Sequence, residues 1–111
     1  MNDVQEIQLQ IDTAKKIVKN SDALNRLYKN RDFLHLFEQV LFQDEPIRLT
    51  HLLSDPAHQS EAARAKIIKE MDVIAGLVSW LRTVDQVGAD VRVKLAGYEA
   101  EQELARQELA E

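Results

Sequence analysis

The sequence predicts an all-α protein, and three observations carry that expectation. Apolar residues recur at steps of three and four along most of the chain, which returns them to one face of a helix. No stretch sustains apolar–polar alternation, and no Asn-Gly or Asp-Gly pair offers a hairpin turn. Glycine is limited to three residues and aromatics to 5% of the 111 residues, which suits helices better than sheets. The expected architecture is a compact bundle of three to four short N-terminal helices packed on one long C-terminal helix with a coiled-coil-like extension. A single helical domain is expected over residues 1–98, followed by an acidic helical extension or tail over residues 99–111.

The first helix is expected from about Asn2 to Lys19, with Asn2 or Asp3 as its N-cap. Val4, Ile7, Ile11, Ala14 and Val18 keep a strict heptad spacing, a narrow seam suited to coiled-coil-like pairing with the long helix. Such a helix is too short to stand free. Asn20-Ser21-Asp22 is expected to interrupt it, with Ser21 or Asp22 capping a short helix whose inner face is Leu24, Leu27 and Tyr28. Asn30 and Asp32 punctuate again before FLHLFEQVLF, which holds all three phenylalanines (Phe33, Phe37 and Phe42) with Leu34, Leu36, Val40 and Leu41. That density points to the domain core; the alternative is an exposed patch for a partner. Asp44-Glu45-Pro46 reads as a helix start with an early proline. Ile47, Leu49 or Thr50, and Leu53 are expected to face inward. Ser54-Asp55-Pro56 ends that helix, because a residue before proline avoids the helical region. Ser60 is the expected N-cap of the long helix, with Ala63 at its third position.

The long helix is expected from about Glu61 to the end of the chain. It holds no proline. One apolar track runs Ile67, Met71, Ile74, Val78, Leu81, and a second runs Leu77, Leu81, Val84, Gly88, Val91, Leu95, Tyr98. Their overlap makes the face between Ile67 and Val84 broad enough to need more than one partner helix. Gly88 is the expected weak point, because glycine costs about 1 kcal/mol against alanine inside a helix. From Gly88 onward the stripe exceeds what the remaining chain can obviously cover, so a second subunit or partner is expected there. Beyond Tyr98 the stripe thins to Ala105 and Leu109. The acidic end is expected to be solvated or frayed unless it meets the basic segment of a neighbour.

The chain carries a net charge of −5, unevenly placed. Between Lys15 and Arg31, Lys15, Lys16, Lys19, Arg26, Lys29 and Arg31 stand against Asp22 alone. Residues 99–111 hold five glutamates against Arg106. Two solvated faces account for this layout; the sharper reading is head-to-tail complementarity, within the fold or between subunits. The basic run could also contact nucleic acid or an acidic partner. The acidic balance, with a pI near 5.2, and the lack of a recognition-helix motif argue against nucleic acid.

Nothing in the sequence assembles a reaction centre, so no catalytic, cofactor-binding or metal-ligating residues are expected and the protein is read as not an enzyme. With no cysteine there is no disulfide, thiol nucleophile or thiolate metal site. His51, Asp55 and His58 straddle a proline turn in no known ligand spacing. His35, on the apolar piece, reads as a core or rim residue. The carboxylate pairs Asp44–Glu45 and Glu70/Asp72 read as capping and surface ion-pair residues. Ser21, Ser54, Ser60 and Ser79 lack elbow glycines. The polar N-terminus does not read as a signal peptide, and no apolar run is long enough to span a membrane.

From Ser21 to about Tyr98 the chain resembles a group of small, functionally uncharacterised proteins of tailed bacteriophages. The likeness rests on DALNRLYKNRDF, LFQDEPIRLTHLLSDP, the turn at Gln59, and LRTVDQVGADVRVKLAGYEAE. It implies a link to virion structure or assembly, and brings no catalytic residues with it. The function expected is that of a non-enzymatic phage structural or assembly protein. It would act by helix-mediated self-association or by docking on a virion component, in the host cytoplasm during infection or in the virion. The residues expected to make contact are Leu77, Trp80, Leu81, Val84, Val91, Leu95 and Tyr98, the partner a second copy or another phage protein. Two alternatives are a small acidic inhibitor of a host enzyme, acting against host defence, and a nucleic-acid-binding accessory protein using the basic run.

Overall fold

The structure, a computed structural model, describes residues 3–110; the expected capping role of Asn2 and the final glutamate lie outside them. Every element among the described residues is helical. Helix α1 spans Asp3–Leu27, the single turn α2 Arg31–Phe33, a π-helix Leu34–Asp44, α3 Glu45–Leu53, a 3-10 turn Pro56–His58, and α4 Glu61–Ala110. Contacts divide the chain into two units, one of Met1–Asn25 with Thr83–Glu111, the other of Arg26–Arg82. The all-α class and the long C-terminal helix match expectation. The compact bundle of several short helices does not form: α1 is a single 25-residue helix belonging mainly to the first unit, and only residues 31–58 form short elements.

In the first unit α1 runs antiparallel to the C-terminal half of α4. Ser21 lies against Gly88, Asp22 pairs with Arg92, and further out Gln102 donates to Gln8. The heptad seam of α1 is the one read from the sequence. Ile11 and Ala14 are buried, and Val4, Ile7 and Val18 are half-buried. The expected break at 20–22 is absent. Ser21 occupies the next seam position and is buried, so its side chain packs between helices instead of capping one. Asp22 is drawn to Arg92 and leaves the helix no competing cap. Leu24 is buried one turn on, and Leu27 is exposed.

Gly88 is likewise not a weak point, because α4 continues through it without interruption. Its lack of a side chain is what the packing requires. A Cβ there would fall inside contact distance of Ser21 Cβ and Oγ, so the glycine permits a close helix approach. Past Tyr98 the helix is also unbroken, with Gln102 buried and Ala105 half-buried.

In the second unit the core is Leu49, Ile67 and Ile74, with Leu41, Phe42, Leu52, Leu53 and Met71 packed against it. The phenylalanine-rich segment was expected to be this core, but no residue of the π-helix is fully buried, and Leu34, Leu36, Phe37 and Val40 are exposed. Phe33, which ends α2, and Phe37 and Phe42 of the π-helix lie four and five residues apart, so their rings follow one another along the segment. Phe33 and Phe37 stack at 5.0 Å, and Phe37 meets Phe42 edge-on at 6.3 Å. The Gln39 amide donates to Asp44 Oδ1 at 2.9 Å across five residues, again the π repeat. The rings therefore pack on each other along the segment instead of all turning to one core face.

Asn30 caps the turn α2, its Oδ1 accepting from the backbone N–H of Asp32 at 2.9 Å and Phe33 at 3.0 Å. Pro46 sits in the first turn of α3 as expected, although the π-helix leads into α3 without a break. On α3 Leu49 is fully buried, whereas Ile47 and Thr50 are exposed; the Thr50 hydroxyl donates to the Pro46 carbonyl. Ser60 caps α4 as read, its Oγ accepting from Ala63 N–H at 3.1 Å.

Candidate interaction surface

The surface is built from apolar residues that helices present and that their own unit leaves open. Among the described residues fourteen large apolar side chains are exposed, against seven buried apolar residues. Scattered apolar exposure is ordinary, but here part of it is ordered along α4. In the second unit Val73, Leu77 and Trp80 follow steps of four and three, a second apolar seam beside Ile67, Ile74 and Leu81; in the first unit Val84, Val87 and Val91 keep the same steps. Trp80 is 62% exposed, and Val73 and Val87 are exposed as well. Leu77, Val84 and Val91 are half-buried.

The seven residues expected to make contact therefore fall into three groups. Leu81 is buried within its own unit. Leu77, Val84, Val91, Leu95 and Tyr98 are half-buried, with Val91 and Tyr98 lining a groove against α1. Trp80 stands open. Part of the stripe beyond Gly88 that was expected to lack cover is met by α1, whose Ala14 and Ile17 line the groove with Val91 and Tyr98.

Three residues that sequence reasoning passed over complete the picture: Val73, Val87 and Leu9. The first two were detectable, because they extend the Leu77–Trp80–Val84 spacing by one step at each end. Leu9 was not, since it lies off the α1 seam. It is 52% exposed and lines an apolar groove of about 330 Å³ with Ile17, Val91 and Tyr98, edged by Lys94. Further toward the C-terminus of α4 a second groove, of about 420 Å³, is ringed by Asp3, Glu6, Glu101 and Glu108. In the other unit a third groove, of about 510 Å³, runs between α3 and α4 over Leu41, Leu49, Val73 and Ile74, with Lys66, Lys69, Glu45 and Glu70 at its rim.

The basic residues Lys15, Lys16, Lys19, Arg26, Lys29 and Arg31 are all exposed. Lys15, Lys19 and Arg26 fall on one side of α1, together with Asp22, whose charge is balanced by Arg92. On α3 the Arg48 guanidinium hydrogen-bonds both Glu45 oxygens, Nε lying 3.0 and 3.1 Å from them. This holds the Glu45 carboxyl below its ordinary range and raises Arg48. Asp55 caps the 3-10 turn, accepting from Ala57 N–H at 2.8 Å, and its other oxygen lies 3.6 Å from His58 Nδ1. His51 is exposed, and among the described residues no group of three or more ligand side chains is placed to hold a metal. No helix among them is long and apolar enough to cross a membrane.

Compared with known proteins, the chain matches no family model, no curated protein and no solved structure.

Proposed function

We propose that this chain is a non-enzymatic protein of tailed-phage virion structure or assembly, working in the infected cytoplasm or in the particle through helix-mediated self-association or docking on a virion component. The virion link comes from the likeness over residues 21–98. One structural observation supports the mode of action: on α4 in the second unit, Val73 and Trp80 stand exposed beside the buried Ile67, Ile74 and Leu81. Helices that keep an apolar stripe in water beside a charged one are suited to seat another helix. Light scattering over a wide concentration range, with sedimentation of tagged protein through infected-cell lysate, tests this. An oligomeric mass, or co-migration with particles or assembly intermediates, is expected. A strict monomer that co-migrates with neither would defeat the proposal.

The exposed row Lys15, Lys19 and Arg26 on α1, with Asp22 neutralised by Arg92, supports a second reading as a nucleic-acid-binding accessory. A mobility shift at low salt decides it, and lack of any shift ends it.

A further inference from the structure

We infer that the apolar flank of the α1–α4 pair is covered by a second copy of this chain, packed antiparallel with the two-fold axis close to Tyr98, to make a four-helix bundle. The inference rests on the self-association part of the proposed function and names its partner and register.

Two antiparallel helices share a single seam, here Ile11, Ala14 and Ser21 of α1 against the Gly88 face of α4. One flank of that pair is charged, carrying Lys15, Lys19, Asp22 and Arg92. The opposite flank carries the 330 Å³ groove of Leu9, Thr13, Ile17, Val91 and Tyr98. A pair of helices with one apolar flank has a standard completion, in which a second pair lays its own flank across the first.

Charge selects what lies there and in which direction. The carboxylates Asp3, Glu6, Glu101 and Glu108 ring the next groove along the same pair, and no cationic residue lines it. Lys94 edges the apolar groove. On α4 Lys94 stands four residues before Tyr98 and Glu101 three after it. A two-fold axis at Tyr98 therefore sets each Lys94 level with the partner copy's Glu101 and carboxylate ring. The surface is complementary to itself, which is what an isologous dimer requires. A parallel copy would instead lay four carboxylates against four. The area is sufficient. Helices of 25 residues are about 37 Å long and a pair is about 18 Å wide, so two copies would bury on the order of 1,300 Å², within the range of specific interfaces.

Because the chain has no cysteine, single thiols can report this register. Lys94 and Glu101 are both exposed, so Lys94→Cys and Glu101→Cys leave the fold's interior untouched. In the antiparallel bundle the two copies of position 94 are about 12 Å apart along the axis, beyond disulfide reach, whereas 94 and 101 of opposite copies are level. Under mild oxidation the two variants mixed should cross-link to a dimer, and each alone should not. In sedimentation velocity Lys94→Glu should raise the dimer dissociation constant by about tenfold or more, and adding Glu101→Lys should restore it. A monomer at all concentrations overturns the inference but leaves docking on another virion component standing. An oligomer with no 94–101 cross-link and no charge-reversal rescue overturns this register but leaves self-association standing.

Discussion

A Cβ at position 88 has no room, because the Ser21 side chain fills the space it would take. Gly88→Ala gains up to about 1 kcal/mol of helix propensity, but must displace a buried seam residue whose Cβ, not a flexible tip, is in the way. Overpacking of this kind costs about 1–3 kcal/mol, so the variant should lose stability in denaturant unfolding, and Gly88→Val more so. Ser21→Gly in the Gly88→Ala background should recover most of the loss, because it removes the Cβ and Oγ that clash. At Gly76, where a Cβ would meet nothing, Gly76→Ala should instead stabilise by about 0.5–1 kcal/mol. On α3 the Glu45 carboxyl is held low by Arg48. Its contribution is therefore present above the unfolded-state value and is lost as pH falls through the lowered folded one. In an NMR pH titration Arg48→Gln should move the Glu45 midpoint upward toward the ordinary carboxylate range. An unchanged midpoint would mean that the hydrogen bonds to Arg48 are not its cause.

The short elements of the second unit depend on different forces. Leu49 is fully enclosed between α3 and α4, so Leu49→Ala should cost about 2–5 kcal/mol. The π-helix rests on ring contacts and a five-residue side-chain bond at its surface. Phe37 joins both ring contacts yet is exposed, and Phe37→Ala should cost about 1–3 kcal/mol by losing two aromatic pairs. Hydrogen exchange should show amides of residues 39–44 opening before those around Ile67 and Ile74, since local stability follows buried apolar contact. Equal protection across the two stretches would contradict this account. The heptad seam of α1, the cap at Ser60 and the extent of α4 were readable in the sequence, because each depends on residues a few positions apart, whereas the passage of α4 through Gly88 without a break was not. The continuation of α1 through Asn20-Ser21-Asp22 was not readable. Those residue types favour a turn when solvated, and only Gly88 and Arg92, some seventy residues away, make them a packing surface and an ion pair.

Among the described residues, the excess of exposed over buried large apolar residues is the whole-molecule property that supports the proposed contact with a partner. Trp80 is the only tryptophan and is open, so its emission reports directly on cover at the second seam. A solvent-exposed spectrum is expected for the dilute chain, moving to the blue when a partner seats on that seam. Trp80→Ala should leave the unfolding free energy of the dilute protein within about 0.5 kcal/mol, because the side chain touches little of its own unit. If the α1–α4 flank pairs as inferred, the melting temperature should also rise with protein concentration. The candidate contact face was legible in part. Leu77, Trp80 and Val84 announce themselves by spacing, but which stripe α1 covers depends on the small side chains at Ser21 and Gly88, which set how closely the two helices approach.

By itself the sequence determined the helical class, the long C-terminal helix, its cap at Ser60 and the two apolar tracks, because helix formation and periodicity are local properties of the chain. Only the tertiary structure decided that α1 runs unbroken to Leu27, that Gly88 is an approach point, and that the packing divides into two units. Those outcomes depend on contacts between residues far apart in the chain, where burial and close packing outweigh the local preference of Asn, Ser, Asp and Gly for turns.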